Sequence, residues 1–144
     1  MTKFQYAYME DKMKILKLIH LVLLIGMILA YTILGELYKL DFFTFPKVDS
    51  SSILFLVVPM AAIFMGNILF KQQLKQADKR TPLEEKMGVY QTASIVRWAI
   101  LEGAAFLVLF LKPEFIVVGL LVILYFAFLR PSVNTMKSDF DAAL

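Results

Sequence analysis

Four long apolar runs, separated by short charged stretches, make up most of this chain and restrict its fold more than any other feature. They cover residues 18–38, 53–70, 89–111 and 114–130. Crossing a bilayer takes about 20 apolar residues, with a range of about 17–25. In lipid every backbone N–H and C=O must be satisfied internally, so each run is expected to be a helix. The chain has 144 residues, of which 60% are hydrophobic. A soluble domain carries about 45–50%, so the surplus is expected to face lipid. The predicted fold class is all-α: an integral membrane four-helix bundle, antiparallel, in one transmembrane domain.

The connections sharpen this expectation. Only Lys112 and Pro113 separate the third and fourth runs, which forces a tight hairpin. Pro113 suits a first helical turn, and Pro131 disfavours helical geometry at Arg130. The fourth span is short and calls for a thinned bilayer or an upright helix. Between spans two and three, residues 71–88 are rich in Lys, Gln and Glu. No helix breaker lies between Phe70 and Arg80, so span two is expected to continue into water. Thr81-Pro82-Leu83-Glu84 has the form of a helix start, with Thr81 as N-cap, Pro82 in the first helical position and Glu84 as capping-box partner. Together these predict a cytoplasmic helical hairpin extension. The first connection carries Tyr38, Phe42, Phe43, Phe45 and Pro46, which suit the headgroup layer. Ser50, Ser51 and Ser52 offer an N-cap for span two. The first run starts too late, and exceeds the ~7–15 residues of a signal core, so it is expected to be retained.

Orientation follows from the cations. Eleven of the fifteen Lys and Arg residues flank the N-terminus, the middle connection and the C-terminus, while Lys39, Lys47 and Lys112 lie in the other two loops. The positive-inside rule then puts both termini in the cytoplasm, with residues 131–144 as a cytoplasmic tail. A compact chain with this asymmetry fits a bacterial inner membrane.

Several chemistries find no support. There is no cysteine, which excludes disulfides, thiolate zinc sites and cysteine nucleophiles. There is one histidine, and no Gly-rich phosphate loop, Gly-x-Ser-x-Gly or His-Glu-x-x-His. No catalytic residue, metal or cofactor is expected. Nucleic acid is not an expected partner, because no basic stripe with interleaved aromatics is present.

Counting inward from the cytoplasmic ends places His20, Asn67, Arg97 and Arg130 in one inner polar layer, with Ser94 close by. Long polar side chains can snorkel there. Glu102 is different, because it lies near the middle of the third run. A charged group at that depth costs about 2.5–3.5 kcal/mol to insert. Arg97 is about 140° away around the helix and is a poor partner. Tyr31, Thr32 and Tyr125 fall near the same depth and complete a candidate ion- or proton-binding group. Ala61, Ala62, Ala99 and Gly103 are candidate helix-packing positions, since small residues let helices approach closely. With no cation at that level, Glu102 is expected to be a neutral acid, bonded to a hydroxyl or a backbone carbonyl.

Arg80-Thr81-Pro82 and Ala99-Ile100-Leu101-Glu102-Gly103-Ala104-Ala105-Phe106 together resemble the proteolipid (c) subunit of rotary ATP synthases over residues 80–111. That family has a cytoplasmic Arg-Gln/Asn-Pro loop followed by a mid-membrane carboxylate. The resemblance implies that Glu102 is a proton-binding carboxylate.

Three functions are in view. The first is a non-enzymatic subunit, scaffold or assembly partner of a membrane complex, associated with itself or with another membrane protein. The second is an oligomeric proton- or ion-coupled translocator using Glu102. The third is a binder of lipids or other apolar molecules.

Overall fold

The computed structural model describes residues 2–41 and 44–144; Phe42 and Phe43 of the aromatic connection lie outside the described residues, as does Met1. Among the described residues every regular element is helical: α1 (Lys3–Leu34), α2 (Ile53–Leu74), α3 (Met87–Leu111), α4 (Ile116–Phe128) and α5 (Val133–Ala143). Single 3-10 turns lie at Leu37–Lys39 and Pro113–Phe115. α1, α2 and α3 are long and apolar enough to cross a membrane. A fourth span exists if the segment Pro113–Phe128 and α5, bent by 98° at their break, count as one.

α1 begins much earlier than residue 18. Thr2 and Gln5 form a capping box: the Thr2 hydroxyl accepts from the Gln5 N–H at 3.3 Å, and the Gln5 side chain accepts from the Thr2 N–H at 2.7 Å. Two orphan donors are satisfied at once. The 32 residues of α1 span about 48 Å at 1.5 Å per residue. The early turns bury Met9, Met13 and Leu16, so packing holds them as well as capping. The helix stops at Leu34, short of the expected residue 38, with Gly35 as its C-cap. A Cβ at Gly35 would overlap the Tyr31 carbonyl and the Ile116 side chain.

The connection between α2 and α3 departs from expectation. α2 ends at Leu74, and residues 75–86 are turns and bends rather than a helical hairpin. Asp78 is one cause, because its carboxylate accepts from the Arg80 N–H at 2.9 Å and so competes with helical bonding. Thr81 is not an N-cap. The N–H groups of Glu85, Lys86 and Met87 bond the carbonyls of Pro82, Leu83 and Glu84, three residues back, which is the tighter 3-10 pattern. The start signal therefore winds the chain into α3 one turn before the α-helix proper. At the head of α2 the three serines do not cap either. Asp49 accepts from the Ser52 N–H at 2.8 Å, and from the Ser51 and Ser52 hydroxyls at 2.7 Å each.

α3 is the central helix and touches α1, α2 and α4. Of its most apolar stretch 39% is buried, against 22% for α1 and for α2. Small residues let its neighbours in. Gly66 of α2 lies over Arg97, where an added Cβ would sit 3.4 Å from the Arg97 Cγ. Between α1 and α4, Gly119 leaves room for the Tyr31 ring, whose hydroxyl donates to the Ala105 carbonyl of α3.

α4 ends at Phe128, before Arg130. With its leading 3-10 turn it covers 113–128, about 24 Å at helical rise. Residues 131–144, expected as a tail, contain α5. Ser132 caps it by accepting from the Thr135 N–H at 3.0 Å. Met136 and Phe140, one turn apart, are buried.

Two glycines give opposite expectations. Alanine at Gly119 must displace the fully buried Tyr31, whereas Gly26 has nothing within 4 Å of an added Cβ. Gly119→Ala is expected to cost about 1–3 kcal/mol through overpacking. Gly26→Ala is expected to be neutral or slightly stabilising. Thermal unfolding in detergent checks both, and equal midpoints for the two variants would contradict this packing.

Candidate functional site

One end of the bundle holds a seam of polar side chains. His20 of α1 is 3% exposed. Its Nε2–H donates to the Phe126 carbonyl of α4 at 2.9 Å. The imidazole stacks on the Phe126 ring with centroids 4.7 Å apart, and Trp98 lies at 4.9 Å on another side. The Phe126 carbonyl gains a bond from outside its own helix, and the imidazole is held by two residues, Phe126 and Trp98.

One layer across, Asn67 of α2 meets Tyr125 of α4. The Asn67 amide donates to the Tyr125 hydroxyl at 2.8 Å, and its carbonyl oxygen lies 3.1 Å from the same hydroxyl. Arg97 of α3 approaches that carbonyl at 3.5 Å. Its guanidinium lies over the Phe70 ring, with Cζ 3.7 Å from the centroid. A planar cation on an aromatic face is a favourable arrangement. No carboxylate forms an ion pair with Arg97 among the described residues. Arg97 Nε, Ser94 Oγ and Trp98 Nε1 are buried without a hydrogen-bond partner. All three lie on one face of α3, at i, i+3 and i+4.

α5 closes this end. The Tyr90 hydroxyl donates to Asp139 at 3.3 Å. The Tyr90 and Phe140 rings are 6.2 Å apart, and the Lys86 ammonium lies 5.3 Å from the Phe140 centroid. Asp139 did not emerge from the sequence as a site residue, because residues 131–144 read as a tail. The available signal was Ser132 as an N-cap, with Met136 and Phe140 spaced for one helical face.

The expected inner layer is thus brought together in part. His20, Asn67 and Arg97 lie in or beside the seam, while Arg130 is exposed. The expected group around Glu102 is not assembled. Tyr31 bonds the Ala105 carbonyl, Thr32 bonds the Ile28 carbonyl one turn back at 2.7 Å, and Tyr125 belongs to Asn67. Glu102 itself is half-buried on the outer side of α3. Its neighbours Leu101, Ala104 and Ala105 take the inward positions. The ion pairs among the described residues, Lys14–Asp11, Lys39–Glu36 and Lys112–Glu114, do not involve it. The expected bond to a hydroxyl or carbonyl is not made among the described residues.

The packing candidates divide in the same way. Ala62 is buried and Ala61 half-buried, whereas Ala99 and Gly103 are exposed beside Glu102. Nothing lies within 4 Å of a Cβ added at Gly103. Ala99 and Gly103, four residues apart, leave a shallow outward notch flanking the carboxyl. Among the described residues no group of three His, Cys, Asp or Glu converges as a metal ion would require.

Compared with protein-family models, curated proteins and solved structures, the chain matches none.

The docking of α5 should respond to pH. Burial holds the Asp139 carboxyl above its usual range, opposed by the positive charge of Arg97 and the hydrogen bond from Tyr90. A raised value means that ionisation is harder in the folded state. Its contribution is present in full below the unfolded value of about 3.9 and is lost as pH rises through the folded one. Asp49 and Glu114 carry the opposite trend. Asp49 is held below the usual range first by the Ser52 hydroxyl, and Glu114 first by a backbone N–H. The measurement is therefore a difference. The stability of Asp139→Asn relative to wild type should rise with pH above about 4, read by thermal unfolding in detergent. A flat difference would remove Asp139 as a pH-dependent element.

Proposed function

We propose that this chain is a non-enzymatic subunit, scaffold or assembly partner of a membrane complex. It docks on its partner through the outer face of α3 around Glu102. In this reading it is an antiparallel four-helix bundle of a bacterial inner membrane, with both termini cytoplasmic. The pairing of Phe70 with Tyr90 and of Gly66 with Arg97 supports opposed directions for α2 and α3. The pairing of His20 with Phe126 and of Tyr31 with Gly119 does the same for α1 and α4. The distribution of Lys and Arg supports the orientation.

One observation carries the docking reading. Glu102 has no hydrogen-bond or ion-pair partner among the described residues, yet it stands mid-helix on an apolar span with exposed Ala99 and Gly103 at its sides. A carboxyl facing hydrocarbon is unfavourable by a few kcal/mol. A second helix seated in the notch removes that exposure, because small residues admit close backbone approach and the acid gains a hydrogen bond across the interface. The occupant is a second copy of this chain or a helix of another membrane protein.

The absence of cysteine makes the test clean. Ala99→Cys in native membranes treated with a mild oxidant is expected to form a disulfide-linked species with its own copy, or, with a benzophenone maleimide on the same thiol, a photo-cross-link to a partner found by mass spectrometry. Adding Gly103→Leu should abolish the cross-link. Glu102→Gln should preserve it, and Glu102→Ala should weaken association about tenfold, matching the ~1–2 kcal/mol of an interhelical hydrogen bond in model peptides. A cross-link unaffected by Gly103→Leu would locate the interface elsewhere. The translocator reading gives Glu102 a different duty and is separated by the same Gln variant: proton flux in liposomes that disappears in Glu102→Gln would favour transport over docking.

A further inference from the structure

A cavity of about 570 Å³ lies between α1 and α4, on the side where His20 meets Phe126. Its mouth is lined by Lys14 and Lys17 of α1 and by Arg130 just beyond α4. Its other end is lined by Leu21, exposed on its outer side, and by the half-buried Leu24, with the buried His20 beside them. On α1 these positions advance in steps of three and four residues, so they form one stripe about 15 Å long. Charge therefore sits at one end of the cavity and hydrocarbon at the other. No carboxylate lines it. Asp11 pairs with Lys14 at 3.1 Å outside it, and Glu10 borders a smaller cavity on the far side of Lys14 and Lys17. Lys17 and Arg130 make no ion pair among the described residues, and Lys17 is half-buried. The His20 ring cannot swing away, because its Nε2–H is bonded to Phe126 and its faces are covered.

We infer that this cavity is a binding site for an anionic phospholipid. The phosphate would lie between Lys17 and Arg130, and an acyl chain would follow Leu21 and Leu24. Basic pockets between helices at a membrane boundary are suited to acidic headgroups. A free phosphate would satisfy the cations but leave the leucine wall uncovered, so the lipid is the better match. This site is independent of Glu102 and of the docking face.

Trp98 is the single tryptophan of the chain and lies directly behind His20, with ring centroids 4.9 Å apart. It reports on the cavity. The protein is reconstituted in phosphatidylcholine vesicles in which brominated phosphatidylglycerol or brominated phosphatidylcholine replaces a fixed fraction of the lipid. The expected result is a relative affinity for phosphatidylglycerol about 5–10-fold higher, read from Trp98 quenching. Lys17→Gln/Arg130→Gln should bring that ratio to about 1, while Lys39→Gln/Lys112→Gln should leave it unchanged. Ala127→Phe keeps every charge but puts a ring into the cavity beside Arg130, where it obstructs the headgroup position, and should also remove the preference. It carries the test if the double variant does not fold by circular dichroism. Millimolar inorganic phosphate should not compete; loss of the preference in its presence would make this a phosphate site and overturn the lipid assignment. Equal quenching by the two lipids in wild type, or a preference that survives both Lys17→Gln/Arg130→Gln and Ala127→Phe, would overturn the site itself.

Discussion

Three helices meet where one of them has no side chain. Tyr31 leaves α1, passes the bare backbone of Gly119 on α4, and reaches the Ala105 carbonyl of α3. In hydrocarbon, helices gain little from hydrophobic association, because lipid tails are as apolar as leucine. Close packing and directed hydrogen bonds must select the arrangement instead. The Tyr31 contact supplies both, and it sets the distance at which α1 and α4 can flank the central helix. The Asn67–Tyr125 pair does the equivalent for α2 and α4 nearer the other end. The first clamp ties α1 to α3 across α4, and the second ties α2 to α4.

The polar groups of the spans fall into two kinds. Several in the seam have internal partners: His20 has Phe126, Arg97 has Phe70 and Asn67, and Tyr90 has Asp139, although Ser94 Oγ, Arg97 Nε and Trp98 Nε1 have none among the described residues. They tie helices together near one boundary. Glu102 is half-buried and has no partner among the described residues, although it is only five positions from Arg97 on the same helix. The difference is angular: a separation of about 140° puts one inside the bundle and the other outside. The same rotation puts Ala99 and Gly103 outside. The docking reading proposed above rests on this grouping of small residues beside the acid on the outward face.

Much of the helical architecture was legible in the sequence, because apolar length is a direct physical requirement. The cores of α2 and α3 follow from residues 53–70 and 89–111, and Pro113 marks the hairpin. Less legible were the elements whose apolar residues are sparse. The first turns of α1 and the whole of α5 are amphipathic rather than apolar, and their only clues are capping residues, Thr2 with Gln5 and Ser132 with Thr135. The Thr81-Pro82-Leu83-Glu84 signal misled in the other direction, since Asp78 and a run of three-residue bonds occupy that stretch. For the site, residue depth could be counted from the helix ends, and it grouped Asn67 with Arg97. Azimuth could not, because it depends on which neighbours each helix meets. That is why Tyr125 and Tyr31 were grouped with Glu102 yet bond elsewhere.

The hairpin at Lys112 and Pro113 has a bearing on biogenesis. α3 carries Arg97 and Glu102, each unfavourable to partition from the translocon on its own. α4 carries no charged residue at all. A single 3-10 turn, Pro113–Phe115, joins them. In the four-span reading proposed above, such a joint favours entry of the two helices as one unit, with the aliphatic helix offsetting the reluctance of its polar neighbour.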